Sequence, residues 1–169
     1  MWLVVLQGEY QEIVGEYVEL VKEFYGDHLI SICFFGSVAR LEATSESDID
    51  VLLVADAIPQ DMGLRVREHV PILQALRRTG AYRKLLSQGR CGFVSSLILT
   101  PEEVKSHPPI LLDLTDDAVI VYDKDGFLCK ALDEIRAGLR RLGSKKVKAK
   151  KGYYWILKPG AKPSEVIEV

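Results

Sequence analysis

Two aspartates separated by a single residue, Asp48 and Asp50, follow the pair Gly36-Ser37 after ten intervening residues. On a β-strand alternate side chains share a face, so both carboxylates would point the same way while Ile49 faces the core. A rise of about 3.3 Å per residue puts their Cα atoms roughly 6.5–7 Å apart. Two charged carboxylates this close repel each other, and a hard cation such as Mg²⁺ between them removes the conflict. The pair is therefore predicted to bind a divalent metal.

The Gly36-Ser37 pair stands where an apolar run, residues 29–35, stops. Glycine lets the backbone approach a phosphate closely, and Ser37 offers a hydroxyl and an N–H group. A helix beginning here would add positive potential, and Arg40 would add a cation. With a metal site these parts suit phosphoryl or nucleotidyl transfer, which depends on positioning and charge neutralisation. The alternative is a plain turn followed by a surface strand, which gives the two carboxylates no counter-charge.

The elements that must position these residues follow from hydrophobic periodicity and from glycine and proline positions. Short β-rich apolar runs predict strands over residues 29–35, 48–56, 92–100 and 118–127, the last closed by an Asp-Gly turn. Helical spacing predicts helices over residues 9–26, 62–89 (with Pro71 as a kink or restart), 100–107 and 127–143. A lysine-rich connector and a short aromatic strand follow at residues 145–160.

Gly36-Ser37, the ten-residue gap and Asp48-Ile49-Asp50, with an apolar strand on each side, resemble the signature of the polymerase-β-like nucleotidyltransferase superfamily. The likeness is closest to the small stand-alone, or minimal, nucleotidyltransferases, and it is specific over about residues 30–55. It implies an α+β fold in which a small mixed β-sheet carries the site at its edge and helices pack on one face. We expect residues 1–129 to form this domain and residues 130–169 to form a C-terminal extension of a helix, a lysine-rich connector and an aromatic strand.

The resemblance also implies roles for the motif residues. Gly36, Ser37 and Arg40 would bind the triphosphate of an NTP, expected to be ATP. Asp48 and Asp50 would be catalytic and would hold Mg²⁺ or Mn²⁺. The implied reaction is transfer of a nucleoside monophosphate to an acceptor hydroxyl, with release of pyrophosphate.

Two positions depart from the family pattern. Leu41 stands where a glycine often follows the arginine, and the strand predicted at residues 92–100 offers Ser95 and Ser96 where active members usually carry a third carboxylate. The other acidic candidates for a third ligand are Glu102, Glu103, Asp113, Asp116 and Asp117. The alternative hypothesis is therefore a catalytically weakened, antitoxin-like nucleotide-binding module that acts on a helical partner of the HEPN type.

Charge is arranged in blocks along the 169 residues, although the formal net charge is only −2. Residues 65–90 carry seven bases and one acid, and residues 137–162 carry nine bases and no acid. Such blocks are typical of solvated surfaces, and the functional alternative is contact with nucleic acid.

Three widely spaced cysteines, Cys33, Cys91 and Cys129, are predicted to be buried free thiols in a reducing compartment. The apolar start of the chain has neither the length nor the basic lead of a signal peptide. No apolar run approaches the ~18 residues that span a membrane. We therefore expect a cytoplasmic protein, and the sequence leaves its acceptor and base preference open.

Overall fold

The computed structural model describes residues 6, 8–150, 152–162 and 165–167. Its central strands are β1 (Leu29–Phe35), β2 (Ile49–Ala55), β3 (Val94–Leu99) and β4 (Val119–Asp123). They form one mixed sheet in the order β3-β2-β1-β4. β1 runs antiparallel to β2 and β4, whereas β2 runs parallel to β3. The small mixed sheet expected from the sequence is confirmed.

Seven α-helices are present in the described ranges, and a separate hairpin follows them. The helices are α1 (Gln11–Tyr25), α2 (Gly36–Ala39), α3 (Met62–Arg77), α4 (Gly80–Ser87), α5 (Pro101–Lys105), α6 (Ile110–Asp117) and α7 (Phe127–Leu142). The hairpin pairs β5 (Lys145–Lys148) with β6 (Tyr153–Ile156). None of the helices in the described ranges is both long and apolar enough to cross a membrane.

Helices cover both faces of the sheet, which corrects the expectation of helices on one face only. Phe34 and Val51 lie in one core cluster with α1, α3 and α4. Cys33 and Leu52 lie in a second cluster with α5, α6 and α7. The physical reason is the continuous apolar sequence of β2, which leaves neither face suited to solvent.

Local side-chain chemistry sets several helix boundaries. At α5, Thr100 accepts a hydrogen bond from the Glu103 N–H while the Glu103 carboxylate accepts one from the Thr100 N–H, so the helix begins with a capping box. The break in the long helical segment falls between α3 and α4, where Thr79 caps α4 by accepting from the Tyr82 N–H. Pro71 lies inside α3, so the segment restarts at Thr79 rather than at the proline.

The C-terminal part differs from its predicted organisation in two details. The lysine-rich connector contains a strand, β5, which pairs with the aromatic strand β6. The predicted boundary between residues 129 and 130 falls within α7, whose Leu128, Leu132 and Ile135 are fully buried against the sheet. Residues on both sides of that boundary therefore complete one hydrophobic layer.

Two buried polar clusters brace α3 against the sheet. Arg65 is 1% exposed; it donates to the carbonyl of Ile98 at 3.0 Å and to both carboxylate oxygens of Glu103 at 2.6 and 3.0 Å. His69, 2% exposed, has Nε2 2.9 Å from the Tyr17 hydroxyl and 3.2 Å from Ser96 Oγ. Polar groups this deeply buried need such partners to offset their lost hydration.

Candidate functional site

The end of β1 and the start of β2 bring the Gly-Ser turn against the second aspartate. Phe35 lies opposite Asp50 in the antiparallel register, and Gly36 follows directly. Gly36 has φ +71°, and a Cβ added to it would lie 2.3 Å from Asp50 Oδ2. Both the backbone conformation and the close approach therefore require glycine here. Residues fourteen positions apart in sequence therefore lie close together.

Asp48 and Asp50 differ in exposure. Asp48 is exposed just before β2, and Asp50 on β2 is half-buried. Burial raises the pKa of Asp50, the negative charge of Asp48 raises it further, and the Arg40 guanidinium opposes both effects. A carboxylate destabilised by burial and by a like charge fits a bound divalent cation, because the cation would neutralise both groups. These two residues therefore fit Mg²⁺ or Mn²⁺.

The strand position paired with Asp50 carries a serine hydroxyl in place of the third carboxylate that active family members usually have. Ser95 is the partner of Asp50 in the parallel register of β2 and β3. Ser96 points to the other face, where its Oγ lies 3.0 Å from the Tyr17 hydroxyl. No cluster of three or more His, Cys, Asp or Glu side chains suited to a metal occurs within the described ranges. Within those ranges, the carboxylates available to a metal at this site are therefore Asp48 and Asp50.

Four of the five other acidic candidates have a different partner. Glu103 is bound to Arg65 and Asp117 to Arg40. Asp113 accepts a hydrogen bond from the Trp155 indole at 3.1 Å, and Asp116 pairs with Lys146 at 3.0 Å. Glu102 is exposed on α5.

Arg40 lies next to the turn, as expected, but two carboxylates already hold it. Its guanidinium donates to Glu42 and to Asp117, each at 2.9 Å. These partners, Glu42 first, raise the pKa of Arg40 above its ordinary value. A phosphate at this point would have to share or displace them, so the local charge is less positive than the sequence suggests.

A cavity of about 260 Å³ opens beside the turn, and the sequence did not predict the hairpin residues that line it. Phe35, Gly36 and Arg40 line the cavity together with Lys146 and Tyr153 of the hairpin. The interleaved lysines and aromatic residues of the hairpin were a compositional signal for base contact, but nothing in the sequence placed them next to Gly36.

Cys91 is a second neighbour that the sequence did not predict. Its Sγ lies 3.7 Å from Asp48 Oδ1, and its N–H donates to the Ser45 carbonyl at 2.9 Å. Cys91 is half-exposed and Cys129 is exposed, so only Cys33 is a buried thiol as expected.

Part of the basic block at residues 65–90 is internal or already paired. Arg65 is buried against Glu103, Arg90 pairs with Glu9 at 2.6 Å, and Lys84 pairs with Glu12. These three bases contribute less positive surface for nucleic acid than their number in the sequence suggests.

Comparison with known proteins identifies a family for this arrangement. A family model described as a nucleotidyltransferase domain matches residues 14–153. A Methanocaldococcus jannaschii protein, MJ1305, whose name gives it as an inferred protein adenylyltransferase, is 30% identical over 132 residues, or 77% of this chain and 83% of that protein. MJ0604 of the same organism, similarly named, is 41% identical over 46 residues, 27% of this chain and 46% of that protein.

Among solved structures, a toxin–antitoxin crystal structure with AMP-PNP aligns over 76% of this chain and 91% of that chain, with 14% identity and a TM-score of 0.48. A likeness at that level adds nothing to the assignment. The family model and MJ1305 confirm the resemblance seen in Gly36-Ser37 and the two aspartates. This chain therefore belongs to the nucleotidyltransferase domain family.

Proposed function

We propose that this protein is a Mg²⁺-dependent nucleotidyltransferase that transfers AMP from ATP to a hydroxyl group on another protein. The observation that carries the proposal is the close approach of the Asp50 carboxylate to Gly36, which puts the Gly-Ser turn directly beside a carboxylate suited to a metal. The name of MJ1305 as an inferred protein adenylyltransferase supports ATP as donor and a protein as acceptor. We place the reaction in the cytoplasm, in keeping with three unpaired cysteines.

Each motif residue has a role in this reaction. Asp48 and Asp50 would hold Mg²⁺, and Gly36 and Ser37 would offer backbone N–H groups and a hydroxyl to the β and γ phosphates. Bound Mg²⁺ would supply charge neutralisation and a lowered pKa for the attacking hydroxyl. The acceptor oxygen attacks the α-phosphorus, the bond from that phosphorus to the bridging oxygen breaks, and pyrophosphate leaves with the electron pair. Because Ser95 is no base, the hydroxyl proton passes to water.

Transfer of label from ATP tests this proposal. The purified protein is incubated with α-labelled ATP, Mg²⁺ and an extract of its native cells, beside an Asp48→Ala, Asp50→Ala double variant. Asp133→Ala, which removes an exposed carboxylate on α7, is the matched control. We expect label on a protein band with wild type and with the control only. Equal labelling by the double variant would exclude the proposed site.

A second candidate function follows from Ser95 at the position next to Asp50. Without a third carboxylate, the chain would bind nucleotide and act as an antitoxin-like module on a helical, HEPN-type partner. Ser95→Asp separates the two candidates. If the wild type binds ATP without transferring AMP and Ser95→Asp gains transfer, the module is correct. Transfer by the wild type itself would reject it.

A further inference from the structure

The cavity beside Gly36 joins the turn of the proposed site to the hairpin β5–β6. It measures about 260 Å³, and Tyr153 lines it together with Phe35 and Gly36. We infer that this cavity holds the base of the bound nucleotide and that the Tyr153 ring stacks on that base. The inference rests on the proposed nucleotide-binding function and adds a residue that determines affinity for the base.

Charge in the cavity favours a neutral group over a phosphate. Its two cations, Arg40 and Lys146, are paired with the carboxylates of Asp117 and Asp116. Asp113, another lining residue, adds a negative charge. A triphosphate entering here would meet carboxylates without surplus positive charge, so the phosphates belong on the side of Gly36 nearest to Asp50. The uncharged end of the nucleotide then extends into the cavity.

The size of the cavity agrees with a base inside it and the phosphates outside it. Pockets that enclose whole ligands measure about 300–1,000 Å³. A volume of about 260 Å³ lies just below that range, enough for a planar base but not for a complete nucleoside triphosphate.

Contacts within the hairpin hold the Tyr153 ring in place before any ligand binds. The Lys146 ammonium lies 5.2 Å from the centre of the Tyr153 ring and 5.7 Å from that of Trp155. Lys146 is tied to α6 through Asp116, and Trp155 through Asp113. An aromatic side chain fixed in this way loses little entropy when a base stacks on it.

The next residue on β6 provides a matched control. Tyr153 and Tyr154 are 55% and 52% exposed, so replacing either should leave the fold intact. Successive side chains on a strand point to opposite sides, and Tyr153 alone of the two lines the cavity. Removing each ring in turn therefore tests whether its position at the cavity matters, because the two substitutions lose almost equal exposed aromatic surface.

Calorimetric titration with ATP and with inorganic tripolyphosphate, both in Mg²⁺, tests the inference. Stacking on an aromatic side chain contributes directly to affinity for a base, so Tyr153→Ala should weaken ATP binding roughly tenfold. Tripolyphosphate has no base, and its Kd should not change. Tyr153→Phe should bind ATP as the wild type does, and Tyr154→Ala should change neither ligand.

The outcomes separate this inference from the proposed function. If the wild type binds neither ATP nor tripolyphosphate, the proposed function is wrong and the base pocket is rejected with it. If the wild type binds ATP and Tyr153→Ala binds it equally well, only the base pocket is rejected. Equal weakening of ATP and tripolyphosphate, or equal weakening by Tyr154→Ala, would also reject stacking by Tyr153.

Discussion

Acidification from pH 7 to pH 4 should destabilise this fold largely through one imidazole, His69. Burial lowers its pKa from 6.5 to about 4 in the folded protein, and the Tyr17 and Tyr25 hydroxyls lie within 2.9 and 3.3 Å of its two nitrogens. Above pH 6.5 the imidazole is neutral in both the folded and the unfolded chain. As the pH falls below 6.5, only the unfolded chain takes up the proton, so the folded state loses stability until about pH 4. At about 1.4 kcal/mol per pH unit, the loss approaches 3 kcal/mol.

Urea unfolding of the wild type and of His69→Gln at pH 7, 6, 5 and 4 measures this loss. Glutamine does not titrate, so the variant should start less stable at pH 7 and then change little between pH 6.5 and 4.5. The Arg65 guanidinium lowers the pKa of Glu103, so that carboxyl also loses stabilising energy as the pH falls, but it does so equally in both proteins. Parallel decline of the two proteins from pH 6.5 to 4.5 would refute the role assigned to His69.

Two further substitutions test contacts described above. Gly36→Ala should cost about 1–3 kcal/mol of stability through its positive φ, and should lower nucleotide transfer at least tenfold because the new Cβ displaces the Asp50 carboxylate. Its control in thermal unfolding and transfer assays is Gly80→Ala, because no atom lies within 4 Å of a Cβ added at Gly80. Wild-type stability and transfer activity of Gly36→Ala would contradict this explanation. Glu103→Gln should destabilise by about 2–3 kcal/mol, since it weakens hydrogen bonds to the buried Arg65. Denaturant unfolding beside the exposed neighbour Glu102→Gln checks this, and equal midpoints would argue against it.

The sequence predicts that the turn ends one strand and that the aspartates begin the next, and the antiparallel pairing of these strands in the structure brings Gly36 to Asp50. A turn that ends one strand must lie near the start of the next when the two strands pair antiparallel. The continuous apolar run of β2 also contained a signal for helices on both faces, which the one-face expectation overlooked.

Other parts depend on contacts that no local pattern reveals. α6 is only eight residues long and follows Pro109, and burial of Leu111 and Leu114 stabilises it more than helix propensity does. The placement of Lys146 and Tyr153 beside Gly36 depends on chain separations of more than one hundred residues. Asp117, which pairs with Arg40, is likewise distant in sequence.

The two walls of the cavity belong to parts of the molecule with different resistance to local opening. β1 and β2 are the central strands of the sheet and are covered on both faces, so the amide hydrogens of their ladders should exchange only by near-global unfolding. The two-stranded hairpin has exposed side chains and can open at a much lower free energy. Hydrogen exchange should therefore separate slow central strands from a fast hairpin, and bound nucleotide should slow the hairpin and the Gly36-Ser37 turn.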